Sequence, residues 1–444
     1  MSDLPDALDA APRVELTVAD IKGGQVARRL AAAAHHGGPV LRTDIPLGPD
    51  AGPCICLLGP DAAEMALGSQ RDAFSSDLGW RPILGLGFGQ AVLNVDEPLH
   101  AQQRRMVAPA FTAEYIDRYV DRISASADKT VLPWRDGTVV DTFMEMRRLA
   151  FHVVAATAGG LPEPAIGAAY RALCVILDGY DFETESRDEF LARAATARQT
   201  LLSVLEACVR ARRRQPATPP QSVLDILLEP TADRAATLSD DEITGYLAIL
   251  LIAGHDTGAT MYGRALYVLA VMPEIADALA RELTDAGWTA TGPLGVPDLD
   301  RLPLLDRFML EVGRLYPPLI NLPRVVVRDL DFAGYRLMAG TRVAMAVAAS
   351  HRLAAVHHDP ERFDLGRYDD SAAARKTRPF LMLTFAGGGR MCLGMRFAQI
   401  EFKAIVSRVV TALKLTPCES GDIAHSGFWS ARPAAPLRIH ARAR

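Results

Sequence analysis

The clearest pattern of apolar positions lies between Ser239 and Pro273 and predicts one long helix. Ser239 and Glu242 have the spacing of a capping box, which is typical of a helix start. Apolar residues then recur without a proline until Pro273. At 1.5 Å per residue, about 34 residues would extend roughly 50 Å. Such a helix would cross a whole domain.

The rest of the chain predicts a mixed beginning, a helical middle and a mixed end. Residues 54–61 indicate a strand that leads into a helix, and the pattern is mostly helical from about Pro98. After Pro318, strand-like pieces alternate with glycine turns until a final helix from about Leu393. We predict a mainly α fold with a small β part, as a single domain over residues 1–444 with a β-rich beginning at about 1–95.

Composition and charge exclude several classes of protein. With 49% hydrophobic residues the chain has enough apolar surface for a large core. A net charge of −5 argues against a nucleic acid as partner. The N-terminus has neither the apolar core of a signal peptide nor that of a membrane anchor, and six irregularly spaced cysteines do not form a disulfide framework. We therefore predict a soluble cytoplasmic protein, without a membrane anchor and monomeric.

A cysteine with the local setting of a reactive thiol lies near the C-terminus. Cys392 ends a glycine-rich loop and comes immediately before an apolar helix. Backbone N–H groups at the helix start, the positive end of the helix dipole and nearby Arg390 are expected to lower the pKa of the thiol. The sulfur would then be suited to bind a metal, although a buried core thiol or a redox-sensitive thiol explains the same position.

The residues around Cys392 match a known motif. Their spacing, F-x-x-G-x-R-x-C-x-G, resembles the haem-ligand loop of the cytochrome P450 family and is filled by Phe385, Gly388, Arg390, Cys392 and Gly394. The resemblance implies that Cys392 is the axial ligand of haem b (iron-protoporphyrin IX), that Phe385 packs beside the sulfur and that Arg390 pairs with a haem propionate. A thiolate ligand favours cleavage of the O–O bond.

A second motif joins Glu311 and Arg314, which share a helix face, to a pair of prolines. Alone, such a pair is common on helix surfaces. With Arg367 further on, it resembles the core ion-pair arrangement of the family. The resemblance implies that Glu311 and Arg314 meet Arg367 and hold the cysteine loop in place, which is an architectural role.

Basic residues in three places resemble the propionate-binding groups of the family. His100 and Arg104 are four positions apart and fall on one helical face. A solvated helix face explains these two residues nearly as well. The resemblance implies that His100, Arg104, Arg324 and Arg390 bind the two propionates as hydrogen-bond donors.

The long helix contains a polar break at Asp256 and Thr257. Thr257 is predicted to donate a hydrogen bond to the carbonyl of Ala253, which would open space beside the helix. The two residues resemble the acid-alcohol pair of the family, and the resemblance implies a catalytic role in proton delivery. A simple polar break is the alternative. His255 is expected to point away from the iron, and Gly258 stands where the family often has a second hydroxyl residue.

These motifs occur in the family's order from Asp96 to Glu401. They imply a haem-thiolate monooxygenase that inserts one oxygen atom from O₂ into an apolar small molecule. The sequence contains no reductase domain, so electrons from NAD(P)H are expected through a separate ferredoxin or flavodoxin-type donor and its reductase. A haem-thiolate peroxygenase or isomerase and a non-enzymatic haem-binding sensor are the alternatives.

The substrate and the partner surface are predicted more coarsely. Five basic residues are expected on the face that receives electrons: Arg105, Arg375, Lys376, Arg378 and Arg396. The pocket walls are expected at residues 83–92, 319–322 and 425–429 and at Ile249 and Ala253, with Asn321 as an orienting polar group. Since these segments are largely apolar, a terpenoid, steroid, retinoid or polyketide-like substrate would fit.

Overall fold

Helices make up most of the protein, which we describe from a computed structural model. The structure describes residues 4–45, 51–83, 88–178, 186–229, 238–288, 295–368, 380–419, 421 and 423–444. In chain order the α-helices are α1 (Ala7–Ala10), α2 (Val18–Lys22), α3 (Val26–Gly37), α4 (Pro60–Glu64), α5 (Ser76–Trp80), α6 (Leu99–Val107), α7 (Ala113–Val131), α8 (Thr142–Ala156), α9 (Glu163–Leu177), α10 (Arg187–Arg214), α11 (Val223–Leu228), α12 (Asp240–Val271), α13 (Pro273–Asp285), α14 (Val296–Leu299), α15 (Pro303–Leu315), α16 (Val347–Ser350) and α17 (Met395–Ala412).

The strands are short and come from both ends of the chain. They are β1 (Arg13–Val14), β2 (Val40–Ile45), β3 (Gly52–Leu57), β4 (Phe74–Ser75), β5 (Asp136–Asp141), β6 (Leu322–Val326), β7 (Leu330–Phe332), β8 (Tyr335–Leu337), β9 (Arg342–Met345), β10 (Leu413–Pro417), β11 (His425–Ser426), β12 (Arg432–Pro433) and β13 (Arg438–Ala443).

The largest sheet has six strands in the order β1-β2-β3-β9-β6-β4. β2 and β3 are antiparallel neighbours, and β3 pairs in parallel with β9 through Ile55 and Val343. A second sheet has the order β10-β13-β5, and the pairs β7-β8 and β11-β12 form two-stranded sheets. The β part thus combines the beginning of the chain with residues far beyond position 95.

The helix α12 confirms the prediction from the capping box. It has 32 residues, and the Ser239 hydroxyl accepts the Glu242 N–H at 3.2 Å while the Glu242 carboxylate accepts the Ser239 N–H at 2.9 Å. A typical helix has only about 11–12 residues. With this length, α12 contributes apolar side chains to two hydrophobic cores.

Two hydrophobic cores meet along α12. Leu247 and Ile249, in its first half, pack with apolar residues of α9, α10 and α11. Tyr262 and Leu266, in its second half, pack with residues of α7, α8, α13, α15 and α17. The middle of α12 lies where the two cores join, and this is the segment that the sequence singled out.

All six cysteines are free thiols, in agreement with the absence of a disulfide framework. Cys54 and Cys56 are fully buried in β3. Among the described helices, none combines the length and the apolar character needed to cross a membrane.

Candidate active site

The loop before α17 has the tight geometry that its glycines predict. The Cys392 N–H donates to the Phe385 carbonyl at 2.9 Å and closes the loop. Gly388 has a φ of 57°, and a Cβ there would lie 2.1 Å from the Leu67 carbonyl oxygen. Only glycine fits this position. The close approach fixes the loop against the π-helical segment Met65–Ser69.

The Cys392 thiol lies in a recess of the protein. The residue has an exposed surface, yet protein atoms surround the sulfur closely enough that burial raises its pKa. A hydrogen bond from the Gly394 backbone and the positive charge of Arg104 oppose this effect. The prediction that the protein lowers the pKa of the Cys392 thiol was therefore wrong. Loss of contact with water raises this pKa by more than the backbone N–H at the helix start and the charge of Arg104 lower it.

Arg390 extends from the same loop toward the segment before α6. Its Nη1 donates to the Val95 carbonyl at 2.8 Å, and its Nη2 lies 3.7 Å from the Asp96 carboxylate. Burial and the neighbouring Arg71 and Arg104 lower the pKa of Arg390, although Asp96 raises it. Several guanidinium groups therefore crowd together here.

The helix α6 brings His100 and Arg104 to the same region, as predicted. Arg104 Nη1 donates to the Met391 carbonyl at 2.8 Å, directly beside the cysteine. His100 is buried, and its Nδ1 lies 2.9 Å from the Glu97 carboxylate. Burial lowers the pKa of His100, with Glu97 opposing and Arg390 adding to the effect. A neutral His100 has one ring N–H to donate.

Arg324, on β6, supplies the observation that tests whether haem fits. The side chain is 6% exposed, and Nη1 donates to the Pro323 carbonyl at 2.7 Å. Burial and the nearby Arg390 lower its pKa to about 10. Within the described residues, no carboxylate lies within ion-pair distance of Arg324. A buried guanidinium of this kind requires an anion, and haem propionates would meet that need beside a thiol ligand.

The middle of α12 presents a small open face. Ala253 is exposed although Leu251, Ile252 and His255 around it are buried, so this point of the helix surface is accessible. Thr257, one turn later, donates its hydroxyl to the Ala253 carbonyl at 2.6 Å, which confirms the predicted bond. The exposed Ala253 and the half-buried Thr257 therefore follow one another along the helix.

A neighbouring face of α12 explains Gly258. A Cβ on Gly254 would lie 2.8 Å from Val154, and one on Gly258 would lie 3.3 Å from Ala150, both in α8. The two glycines thus allow α8 and α12 to pack closely. Gly258 faces a neighbouring helix, which accounts for the lack of a hydroxyl residue at this position.

His255 is fully buried and points into a group of aromatic rings, with its own ring 5.3 Å from Phe151 and 5.7 Å from Tyr170. Burial lowers its pKa to about 3, helped by Arg147 and Arg432. His255 is therefore a neutral packing residue between α9 and α12.

Asp256 binds two arginines that the sequence did not point to. Its two carboxylate oxygens accept hydrogen bonds of 3.0–3.1 Å from Arg432, and Arg147 Nε lies 3.4 Å from Oδ1. No hydrogen bond between the Asp256 carboxylate and the Thr257 hydroxyl is present in the described structure. Asp256 and Thr257 are adjacent in sequence, but their side chains bind different partners.

The predicted network of Glu311, Arg314 and Arg367 is confirmed. Two hydrogen bonds of 2.8 Å join Arg314 to Glu311, both fully buried, and Arg367 Nε lies 3.4 Å from Glu311 Oε1. Tyr368 also donates to Glu311 at 2.8 Å. Burial would raise the pKa of Glu311, but the bonds from Arg314 and its neighbours lower it. Arg314 also donates to the carbonyls of His351, Pro360 and Arg362.

Some predicted wall residues have different surroundings. Asn321 is fully buried and donates to the Phe428 carbonyl at 2.6 Å, so it ties two wall segments together and does not orient a ligand. Phe88 and Gly89 pack against Gly245 of α12. Residues 84–87 of the predicted loop, and Arg375, Lys376 and Arg378, lie outside the described residues.

Comparisons with known proteins identify the family of this chain. The family model for cytochrome P450 matches residues 186–438, more than half of the chain. The chain therefore belongs to the cytochrome P450 family. It is an oxidoreductase of the monooxygenase type, in a family that binds haem. Members of this family use redox partners and generally act on apolar substrates.

Two similar relatives are bacterial proteins. Putative cytochrome P450 136 of Mycobacterium tuberculosis is 27% identical over 82% of this chain and 74% of the relative. Putative cytochrome P450 120 of Synechocystis is 25% identical over 77% of this chain and 76% of the relative. A solved structure, retinoic acid bound cyanobacterial CYP120A1, covers all of both chains with a TM-score of 0.85 and 23% identity. That likeness establishes the fold.

Proposed function

We propose that this enzyme inserts one oxygen atom from O₂ into an apolar small molecule, with haem b held by Cys392. The observation that carries the proposal is the recessed Cys392 thiol, which accepts the Gly394 N–H at the start of α17. A bound haem with one thiolate ligand supplies the activation of dioxygen. Phe385 accepts the Cys392 N–H through its carbonyl and so maintains the loop.

The basic residues around the cysteine would orient the cofactor. Arg324 and Arg390 would bind the propionates directly, with Arg104 as a further donor from α6. His100 would join them by turning its single ring N–H from the Glu97 carboxylate to a propionate. The positive charge near Arg324 supports this assignment. Asp96 is the nearby carboxylate, and it contacts Arg390 at 3.7 Å, so it does not balance the charges of both arginines.

Asp256 and Thr257 are proposed to deliver protons at the other side of the site. The Thr257 hydroxyl, held by the Ala253 carbonyl, would place a proton where oxygen binds, and Asp256 would exchange protons with water. The Arg432 contact is the observation that favours a second candidate, a peroxygenase or isomerase, since such enzymes need less proton supply.

The substrate is proposed to be a terpenoid, steroid, retinoid or other secondary metabolite. The apolar lining by Ile249 and Ala253 supports a hydrophobic ligand with few polar contacts. The solved neighbour named above binds retinoic acid, which makes retinoic acid the first ligand to examine.

Electrons are proposed to come from a ferredoxin or flavodoxin with its reductase. Arg105 on α6 is exposed, as an acidic partner would require. Arg396 donates to the Asp300 carboxylate at 2.6 Å, so part of its charge is already balanced. Arg105 is therefore the stronger of the two described candidates for the partner surface.

The experiment uses the haem-loaded protein. The absorption spectrum of its reduced CO complex should have the band position of a thiolate-ligated haem, and the band position of a histidine-ligated haem would overturn the proposal. Turnover of ligands from a spectral binding screen, with retinoic acid, a steroid and a terpenoid, should depend on NADPH and a ferredoxin-reductase pair. Efficient turnover with hydrogen peroxide alone would support the peroxygenase instead, and haem binding without any turnover would support a sensor.

A further inference from the structure

Asp256 belongs to a cluster of four charged side chains from four different elements. Arg147 comes from α8, Asp178 follows the last residue of α9, Asp256 lies in α12 and Arg432 lies in β12. Arg432 contacts both acids, Asp256 at 3.0 Å and Asp178 at 3.2 Å. We call these four residues the charge cluster.

Both arginines of the charge cluster are shared between the same two carboxylates. Arg147 Nη1 lies 2.6 Å from Asp178, while its Nε lies 3.4 Å from Asp256. Asp178 and Asp256 therefore share the same two guanidinium groups, which contact them through different nitrogen atoms. Because the N–H donors of a guanidinium lie in one fixed plane, a movement of the arginine toward one acid draws it away from the other.

Burial differs strongly across the cluster. The side chain of Arg147 is 3% exposed and that of Asp256 is 14% exposed, whereas Arg432 is 26% and Asp178 is 51% exposed. The inner pair is enclosed by α8 and α12. Rearrangement is therefore easiest for the outer pair, Arg432 and Asp178.

The backbone next to Arg432 is fixed. The Thr260 hydroxyl, one turn after Asp256, donates to the Ala431 carbonyl at 2.9 Å. This bond ties β12 to α12 directly beside the charge cluster. An exchange of Arg432 between the two acids would thus involve its long side chain, and the strand itself would stay in place.

The contact with Arg432 matters for proton transfer. Both oxygens of Asp256 accept hydrogen bonds from this one guanidinium. A carboxylate held in this way has few lone pairs left for water. To pass protons, the acid must be released from at least part of this contact.

We propose that Asp178 is a positioning residue for Asp256. By drawing Arg432 toward the end of α9, Asp178 frees the Asp256 carboxylate for proton exchange, so the position of that helix end controls the supply of protons. The inference rests on the proposed role of Asp256 and extends it to a residue on another helix.

Two substitutions should change proton supply in opposite directions. Asp178→Asn leaves Arg432 wholly to Asp256, so NADPH consumption should slow by about fivefold, the low end of typical couplings between sites, with a larger solvent deuterium isotope effect. Arg432→Gln releases Asp256, so consumption should not slow and the isotope effect should shrink. The assay uses a ferredoxin-reductase pair and the ligand with the largest response among retinoic acid, the steroid and the terpenoid.

The matched control is Arg438→Gln, which removes an exposed arginine six positions further along the same C-terminal segment. It should leave the rate and the isotope effect unchanged. If Asp178→Asn and Arg432→Gln both slow the enzyme, their role is merely structural and the inference is wrong.

A measurement without turnover examines the competition itself. Double-mutant cycles on urea unfolding of the haem-loaded protein give the coupling between Arg432 and Asp256. This coupling should increase in the Asp178→Asn background, and an unchanged coupling would overturn the inference. Asp256→Asn distinguishes failure of the proposed function from failure of this inference. If this substitution leaves turnover and the isotope effect unchanged, the proposed role of Asp256 is wrong. If it slows turnover while the coupling between Arg432 and Asp256 is the same with and without Asp178→Asn, only the role of Asp178 is wrong.

Discussion

The Thr257 hydroxyl is bound to the carbonyl one turn earlier, and this single bond determines what its removal should do. Thr257→Ala keeps the small face beside Ala253 but loses the donor. With a ligand from the binding screen, product formed per NADPH should fall by about tenfold or more, since a general acid typically contributes about 10²–10⁴-fold, while hydrogen peroxide release rises. Thr257→Ser, which retains the hydroxyl, is the control. Equal product yield in Thr257→Ala and wild type would remove this residue from the proton route.

Glu401 is a buried acid to which no sequence motif assigned a role. It lies in α17 and accepts the Tyr262 hydroxyl at 2.8 Å. Burial raises its pKa to about 8, with the Tyr262 bond opposing. Since its ordinary pKa is about 4.3, the neutral form is favoured in the folded protein well above the pH at which the unfolded chain ionises.

The sign of the resulting pH dependence follows from linkage. The stabilising contribution of neutral Glu401 is complete below pH 4.3 or so and is lost as the pH rises toward about 8. Stability should therefore fall with pH across this window, by at most about 1.4 kcal/mol per pH unit. Glu401→Gln should flatten the decline in urea unfolding, and Glu419→Gln, at an exposed site, should not. Parallel curves for wild type and Glu401→Gln would contradict the assignment.

At the scale of elements, the Glu311 network ties α15 to the irregular segment that leads to the cysteine loop. Arg314→Ala removes one member of a fully buried ion pair, a change that typically costs about 3–5 kcal/mol. We expect poor haem incorporation and a lower melting temperature. Arg301→Ala is the matched control, since Arg301 has the same spacing to Asp298 but is 72% exposed. Full haem content and normal melting in Arg314→Ala would refute the architectural role.

The contact between α8 and α12 depends on glycine at a second place. A Cβ on Gly263 would lie 2.8 Å from the Phe143 backbone, which cannot move aside easily. Gly263→Ala should therefore destabilise the protein by about 1–3 kcal/mol in urea unfolding, as overpacking does. Gly167→Ala in α9 adds a methyl group with only an ordinary contact to Arg171. It should be neutral or stabilising; equal effects of the two substitutions would show that helix propensity alone decides.

Across the whole molecule, prediction from sequence succeeded where the cause is local. The capping box of α12 and the Thr257 bond each join residues a few positions apart, so a pattern along the chain reveals them. Glu311, Arg314 and Arg367 were placed by their resemblance to a known arrangement. Contacts between segments that are far apart in the sequence produce no local sequence pattern from which they could be predicted.

The charge cluster shows why the remainder could not be predicted. Asp256 and Arg432 are 176 positions apart, and nothing in the sequence around Arg432 distinguishes it from the other arginines. The direction of the Cys392 pKa shift was predicted wrongly for a related reason. The helix start that lowers the pKa is visible in the neighbouring sequence, whereas the burial that raises it depends on distant segments that pack around the sulfur.

The six-stranded sheet has a consequence for the order in which the protein folds. β3 can pair with β9 only after some 285 intervening residues have brought Leu57 and Met345 together, and such long loop closures are slow. Until then, β3 has an unpaired edge that can associate with other chains. Refolding should show sheet formation after helix formation, and a chain truncated before β9 should be prone to aggregate.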